Sequence, residues 1–164
     1  MTKKIFKSNI LVAAAVLIFG IACVMAILYQ HFGKQINTEL KKEATYLVYG
    51  VEENGIDYLK QIKEKDDRIT YIAEDGTVLY DSRRDADILK NHGNRKEVRE
   101  ALSKGEGADV RKSETVGKDM YYYALLLNDG TVLRVSKSID NLASTAVSLM
   151  PVMGILAVLT ILFA

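Results

Sequence analysis

Arg68-Ile-Thr-Tyr-Ile-Ala-Glu-Asp-Gly-Thr-Val-Leu-Tyr-Asp-Ser82 marks the point where the periodicity of this chain changes. Ile69, Tyr71 and Ala73 alternate with Arg68, Thr70 and Ile72, a period of two over residues with strong strand preference. Asp75-Gly76 provides the positive φ of a tight hairpin, and Thr77 to Tyr80 returns as the partner strand. The device recurs in Leu125–Leu133, LLLNDGTVL. The shared Asp-Gly-Thr-Val-Leu reads as one turn solution used twice, ahead of a duplicated domain.

Upstream of this hairpin the period is helical. Ile36, Leu40, Leu47, Val48 and Val51 share one side of a helix over Lys34 to Val51, which Asn54-Gly55 ends. Ile56, Leu59 and Ile62 mark a short second helix before the charged cluster Lys63 to Arg68. Downstream, Asn94 is placed to cap a helix over Arg95 to Lys104, with Glu97 completing a capping-box-like pattern. Val98, Ala101 and Leu102 form its narrow apolar stripe, and Gly105 or Gly107 ends it. Asp109 to Ser113 reads as an edge strand, Met120 to Leu127 as the most apolar and therefore central strand, and Thr131 to Ile139 as the last. These elements predict an α+β domain, an antiparallel sheet with helices packed on one side.

Further out lie two apolar stretches. Ile10–Tyr29, ILVAAAVLIFGIACVMAILY, has twenty residues without a charge, and at ~1.5 Å per residue it reaches ~30 Å, the depth of a bilayer core. Lys3, Lys4 and Lys7 precede it, which keeps residues 1–9 in the cytoplasm and exports the chain beyond Tyr29. The run continues through Ile27-Leu28-Tyr29 without a small-residue cleavage site, so the reading is an uncleaved anchor that continues outward as one long helix. Gly20-Ile21-Ala22-Cys23 resembles a lipoprotein processing site, but Gly20 stands where that pattern has Leu and the run stays apolar beyond it; Cys23 reads as a small apolar residue within the span. Leu142–Ala164 is a second uncharged stretch of spanning length. The organisation is therefore tail 1–9, transmembrane helix 10–29, extracytoplasmic domain 30–141 and transmembrane helix 142–164, with both ends cytoplasmic. A hairpin with nothing inside the cell to read it predicts the front part of a longer receptor.

All 21 acidic residues and 19 of the 22 basic ones fall in 30–141, leaving that domain near neutral, about −2. Mixed signs exclude a one-sided basic surface for nucleic acid. The only cysteine lies in the first span, so the domain must stand on its apolar core. An enzymatic reading finds little support. His31 and His92 lack zinc-site spacing, there is no G-x-x-x-x-G-K loop, and no Ser or Cys sits in a nucleophile setting. Asp85 and Asp87 lack the remaining ligands of a calcium loop. No metal and no cofactor is expected in this chain. The candidate ligand site is Tyr121-Tyr122-Tyr123, in which alternation puts Tyr121 and Tyr123 on one face and Tyr122 on the other. Arg111 on the neighbouring strand would add a cation for a carboxylate ligand. Sheet packing and an exposed Arg are the structural alternatives. Asp81 and Arg95 are expected to form an ion pair that fixes the loop between them.

Arg68–Ser82, with Asn91-His92-Gly-Asn-Arg95-Lys-Glu97-Val-Arg-Glu-Ala-Leu102, Gly105, Arg111 and Met120-Tyr121-Tyr122-Tyr123-Ala124, resembles the extracytoplasmic sensor region of bacterial sensor histidine kinases. The nearest group is the phosphate-regulon type of Gram-positive bacteria. Lys96 departs from that pattern, which often has Pro there. The resemblance covers about 30–141 and implies a PAS-like five-stranded antiparallel sheet with the long N-terminal helix against it, flanked by two transmembrane helices. It also implies a homodimer in the lipid bilayer, an unidentified extracellular ligand or protein partner, and a cytoplasmic kinase domain beyond Ala164 that would use ATP and Mg and pass phosphate to a response regulator. Neither histidine matches the family's phosphoacceptor motif, so no catalytic residue carries over.

Pro151, inside the second span, frees a backbone carbonyl and can bend that helix during signalling. Ala22 and Ala26 offer a small-xxx-small dimer face. Three other functions stay open: the input module of a chemoreceptor or cyclic-dinucleotide enzyme, a membrane-anchored ligand-binding protein, and a structural adaptor.

Overall fold

The structure is a computed structural model that describes residues 2–62, 67–112 and 119–138, together with Pro151, Gly154 and Ile155. The chain forms two compact units, one of Met1–Gly33 with Asp140–Ala164 and one of Lys34–Ile139.

In the first unit, helix α1 (Thr2–Asn54) begins. Leu11, Val12, Val16, Ile18, Phe19, Val24 and Ile27 are exposed along it, as lipid-facing side chains are and core side chains are not. Ala14–Asn54 is the one helix among the described residues that is long and apolar enough to cross a membrane. The expected second span at 142–164 lies outside the described residues except for Pro151, Gly154 and Ile155, which are helical and exposed.

In the second unit, α1 contributes Leu40, Ala44, Leu47 and Val51, all buried and spaced as one helical stripe. The short α2 (Ile56–Gln61) follows, with Leu59 inward. Five strands come next: β1 (Arg68–Ile72), β2 (Val78–Asp81), then helix α3 (Lys96–Lys104), β3 (Glu106–Lys112), β4 (Asp119–Leu126) and β5 (Val132–Ser138). They form one antiparallel sheet in the order β2-β1-β5-β4-β3. The two Asp-Gly hairpins are the same turn: Gly76 at φ 87° and Gly130 at φ 84°, each N–H donating to the carbonyl three residues back, Ala73 and Leu127. In each, the Asp carboxylate accepts the N–H of the Thr two residues on.

Three expectations about this domain are corrected. β5, not β4, is central; β4 is the more apolar by composition, yet β5 is the strand with two β-neighbours on the way to both edges, and it buries the charged Arg134. The helices do not share one side of the sheet. Glu106 of β3 takes Lys41 of α1 as its partner, while a Cβ on the next residue, Gly107, would run into the Glu97 carbonyl of α3. Adjacent strand residues face opposite ways, so α1 and α3 cover opposite faces. Finally, α3 starts at Lys96 with Arg95 in the N-cap position and no side-chain cap. Glu97 does not reach back to the helix start, because two guanidinium groups hold it in the interior.

Candidate functional site

The face of the sheet under α3 carries a layer of paired charges. Arg134 of β5 and Glu97 of α3 are almost wholly enclosed, at 2% and 0% exposure. Arg134 donates from Nη1 to Glu97 Oε1 at 3.2 Å and from Nη2 to Thr70 Oγ1 at 3.1 Å. Thr70 donates in turn to Asp81 Oδ2 at 2.9 Å, and Arg68 Nε donates to the same carboxylate at 2.9 Å. On the other side, Arg111 grips Glu97 with both nitrogens, at 2.6 and 2.8 Å, and holds Asp109 at 2.7 Å. The chain of contacts crosses β2, β1, β5, α3 and β3. The Tyr122 ring of β4 lies beneath it, 4.0 Å from the Arg111 guanidinium and 5.2 Å from that of Arg134. Beside the charges sits a small apolar cluster of Ile72, Val98, Ala101, Ala124 and Val132.

Burial pushes the Glu97 carboxyl up, but the Arg111 hydrogen bonds and the Arg134 and Arg111 charges outweigh it and hold the group below the usual carboxylate range. His92 is buried, and that burial, with the charges of Arg134, Arg95 and Arg68, lowers it to about 4. It is therefore neutral at physiological pH. Its Nδ1 and the Arg134 Nε are buried without a hydrogen-bond partner among the described residues. His92 is held by its backbone: its N–H donates to Gly76 O, while Asn91 donates to Asp75 O. The loop after β2 is thereby tied to the β1–β2 turn.

The expected ligand triad does not assemble. Tyr123 faces α1, where its hydroxyl donates to Glu106, itself bonded to Lys41, and Tyr121 shares that face by alternation. Arg111 lies on the opposite face with Tyr122. All three tyrosines are buried in the sheet's packing, and the Arg111 cation already holds two carboxylates. Asp81 accepts the N–H groups of Arg83 and Arg84, each at 3.0 Å, and the side-chain donors of Arg68 and Thr70. Arg95 enters the same region at the start of α3, its carbonyl accepting from Val98 and Arg99, with its charge felt at His92. What sequence reasoning missed was Arg68, Arg134 and Glu97. Their one local signal was a charged residue within each of two strand patterns and at an inward position of a short helix.

A family model described as Single Cache-like matches residues 30–133. The chain belongs to the single Cache-like family. Comparison with curated proteins gives no match. Solved structures that match include the extracellular domain of rpHK1S-Z16, described as a histidine kinase, at 18% identity over 57% of this chain and 39% of that one, TM-score 0.41. They also include the Bacillus subtilis YkuI protein, with an EAL domain, in complex with its substrate c-di-GMP and calcium, at 16% identity over 75% of this chain and 36% of that one, TM-score 0.50. The likeness to YkuI is one of fold. This chain spans less than two fifths of the length of either.

The Cache-like domain is a sensor region, and with its N-terminal apolar helix the chain is a membrane protein. On the α1 face, the Cache-like domain has a cavity of about 410 Å³ lined by Val51, Glu52, Gly55, Tyr71, Leu127, Asn128 and Asp129. Tyr71 donates to Asp129 there at 3.2 Å and accepts from Thr131 at 2.8 Å. Among the described residues no group of three or more His, Cys, Asp and Glu is placed to hold a metal ion. The charges under α3 are engaged with one another, an arrangement suited to holding one packing of helix on sheet.

Proposed function

We propose that this chain is the signal-sensing and membrane-anchoring input part of a sensor histidine kinase of a two-component system, of the phosphate-regulon type, working as a homodimer. The observation that carries this reading is α1: one helix supplies both the apolar segment and a wall of the Cache-like core. The resemblance of Arg68–Ser82 and the subsequent motifs to such kinases supports the output class, and membership of the Cache-like family supports the sensing role. In this reading residues 10–29 and 142–164 cross the membrane and 30–141 lies outside. A ligand or partner protein that prefers one packing of the domain shifts the two spans relative to each other by its differential affinity. Pro151→Ala in the parent protein then changes output while the sensor domain keeps its fold.

A second reading, the input module of a cyclic-dinucleotide enzyme, is favoured by the fold shared with YkuI. The parent protein in lipid nanodiscs, incubated with labelled ATP and Mg, is expected to phosphorylate itself on histidine and pass phosphate to a receiver domain. Turnover of c-di-GMP without phosphorylation would overturn the kinase reading in favour of the second.

A further inference from the structure

Two elements of the Cache-like core lead, along the sequence, to the apolar stretches: α1 from 10–29, and β5 toward 142–164. They come together at Lys137, near the end of β5. Its Nζ donates to Asp67 Oδ2 at 3.2 Å and lies 4.0 Å from Glu39 Oε2 on α1. Asp67, just before β1, is buried at 5% exposure; the Glu39 side chain is half exposed. Glu43 comes one helical turn after Glu39 and also bears on the Lys137 charge. Burial would lower the Lys137 pKa, but Asp67 and then the two α1 glutamates outweigh it and raise it. The ammonium is thus hydrogen-bonded to a carboxylate on the sheet side and just beyond hydrogen-bond reach of one on the helix.

The rest of the α1 contact is of another kind. Leu40, Ala44, Leu47 and Val51 make an apolar stripe, whose attraction is non-directional and tolerates a small slide. A directional contact at the end of β5 is where such a slide would be felt.

We propose that Lys137 is the coupling residue of this domain, exchanging between Asp67 on the sheet and Glu39 or Glu43 on α1, and that this exchange converts a change of core packing into relative motion of β5 and α1. Its consequence for output rests on the kinase reading; the exchange itself does not. In this structure Lys137 is on the Asp67 side. Asp67→Asn moves it onto α1. Glu39→Gln with Glu43→Gln holds it on Asp67. The two changes therefore act in opposite directions, whereas loss of a merely structural ion pair would act in one.

The test uses the full parent protein in nanodiscs, with Cys23→Ser and spin labels at 38 and 138. Pulsed-resonance distances are expected to shift by about 1–2 Å in Asp67→Asn and to narrow about the wild-type maximum in Glu39→Gln/Glu43→Gln, with phosphorylation output changed in opposite senses. Glu39→Gln alone changes a half-exposed residue and serves, through the same narrowing, if Asp67→Asn fails to fold. Wild-type distances in Asp67→Asn, the same shift when Glu39→Gln and Glu43→Gln are added to it, or an unnarrowed distribution in the glutamate variants would overturn the proposal. The Asp67→Asn shift in a parent protein that shows no kinase activity would support the exchange and sink the kinase reading.

Discussion

Toward α1 the sheet presents Ile69, Tyr71, Leu133 and Val135; toward α3, from the same strands one residue out of step, it presents Arg68, Thr70, Arg134 and Ser136. All eight side chains are buried, yet the two interfaces are held differently. The α1 side gains mainly from removing apolar area from water, at about 25 cal/mol per Å². The α3 side exchanges hydration of six charged groups for fixed partners. That exchange contributes little net stability but makes every alternative packing costly, because a displaced partner leaves a buried charge unmatched. The contrast makes α1 the side suited to small sliding motions, and α3 the side that holds one position or lets go.

The largest effect that tests this contrast is at Glu97. Glu97→Ala leaves Arg134 without a carboxylate and Arg111 with Asp109 alone, and is expected to cost about 3–5 kcal/mol in urea unfolding of the detergent-solubilised chain. Replacing Glu97, Arg111 and Arg134 together by apolar residues of similar size should recover most of that loss. If the triple variant is as unstable as Glu97→Ala, the charged layer does not act as a unit. On the other face Leu47→Ala opens a cavity behind a buried residue and is expected to cost about 2–5 kcal/mol. Removing charges elsewhere should not rescue it, since its loss is one of packing.

Acidification separates the faces in another way. His92 is lowered from 6.5 to about 4 in the folded chain, by burial first and then by Arg134, Arg95 and Arg68. Between those two values the unfolded chain takes up a proton that the folded chain refuses, so stability falls as pH drops through that window and is unaffected above it. Glu97, whose folded pKa is lowered, adds a further loss below the ordinary range of a carboxyl group. His92→Gln should flatten the melting temperature between pH 6.5 and about 4 while leaving the steeper loss below it. A wild-type profile that is flat across the window would contradict the burial of His92.

The smallest expected effect is at Lys41. Its contact with Glu106 is about half exposed on both sides, and Lys41→Ala should cost about 0–1 kcal/mol. A loss comparable to that of Glu97→Ala would erase the distinction between the two faces.

How much of this was legible in sequence depended on range. The Asp75-Gly76 and Asp129-Gly130 turns are local chemistry and could be read from a few residues, as could the α1 stripe, whose spacing repeats over several turns. The side on which α3 lies could not. Val98 and Ala101 announce one apolar stripe, but nothing within the short helix says which face of a sheet receives it. The charged layer was hidden for the same reason: Arg68 and Arg134 look like solvent-facing members of alternating strands until α3, distant in sequence from both, lays Glu97 over them. The tyrosine run was read correctly for alternation and wrongly for company, because the face of Arg111 depends on the register of β3 against β4.

Gly107 sets how closely α3 seats on the sheet. The α3 backbone lies so near β3 that even one added carbon would meet the Glu97 carbonyl, with Glu100 Cβ at 2.7 Å and the Ala101 nitrogen at 3.0 Å. Any side chain here would have to lift the backbone of α3 away from β3, and with it the carboxylate that Arg111 and Arg134 hold. The close seat of the helix and the pairing beneath it therefore stand or fall together, so a single methyl group at residue 107 would test the charged layer without touching a charge.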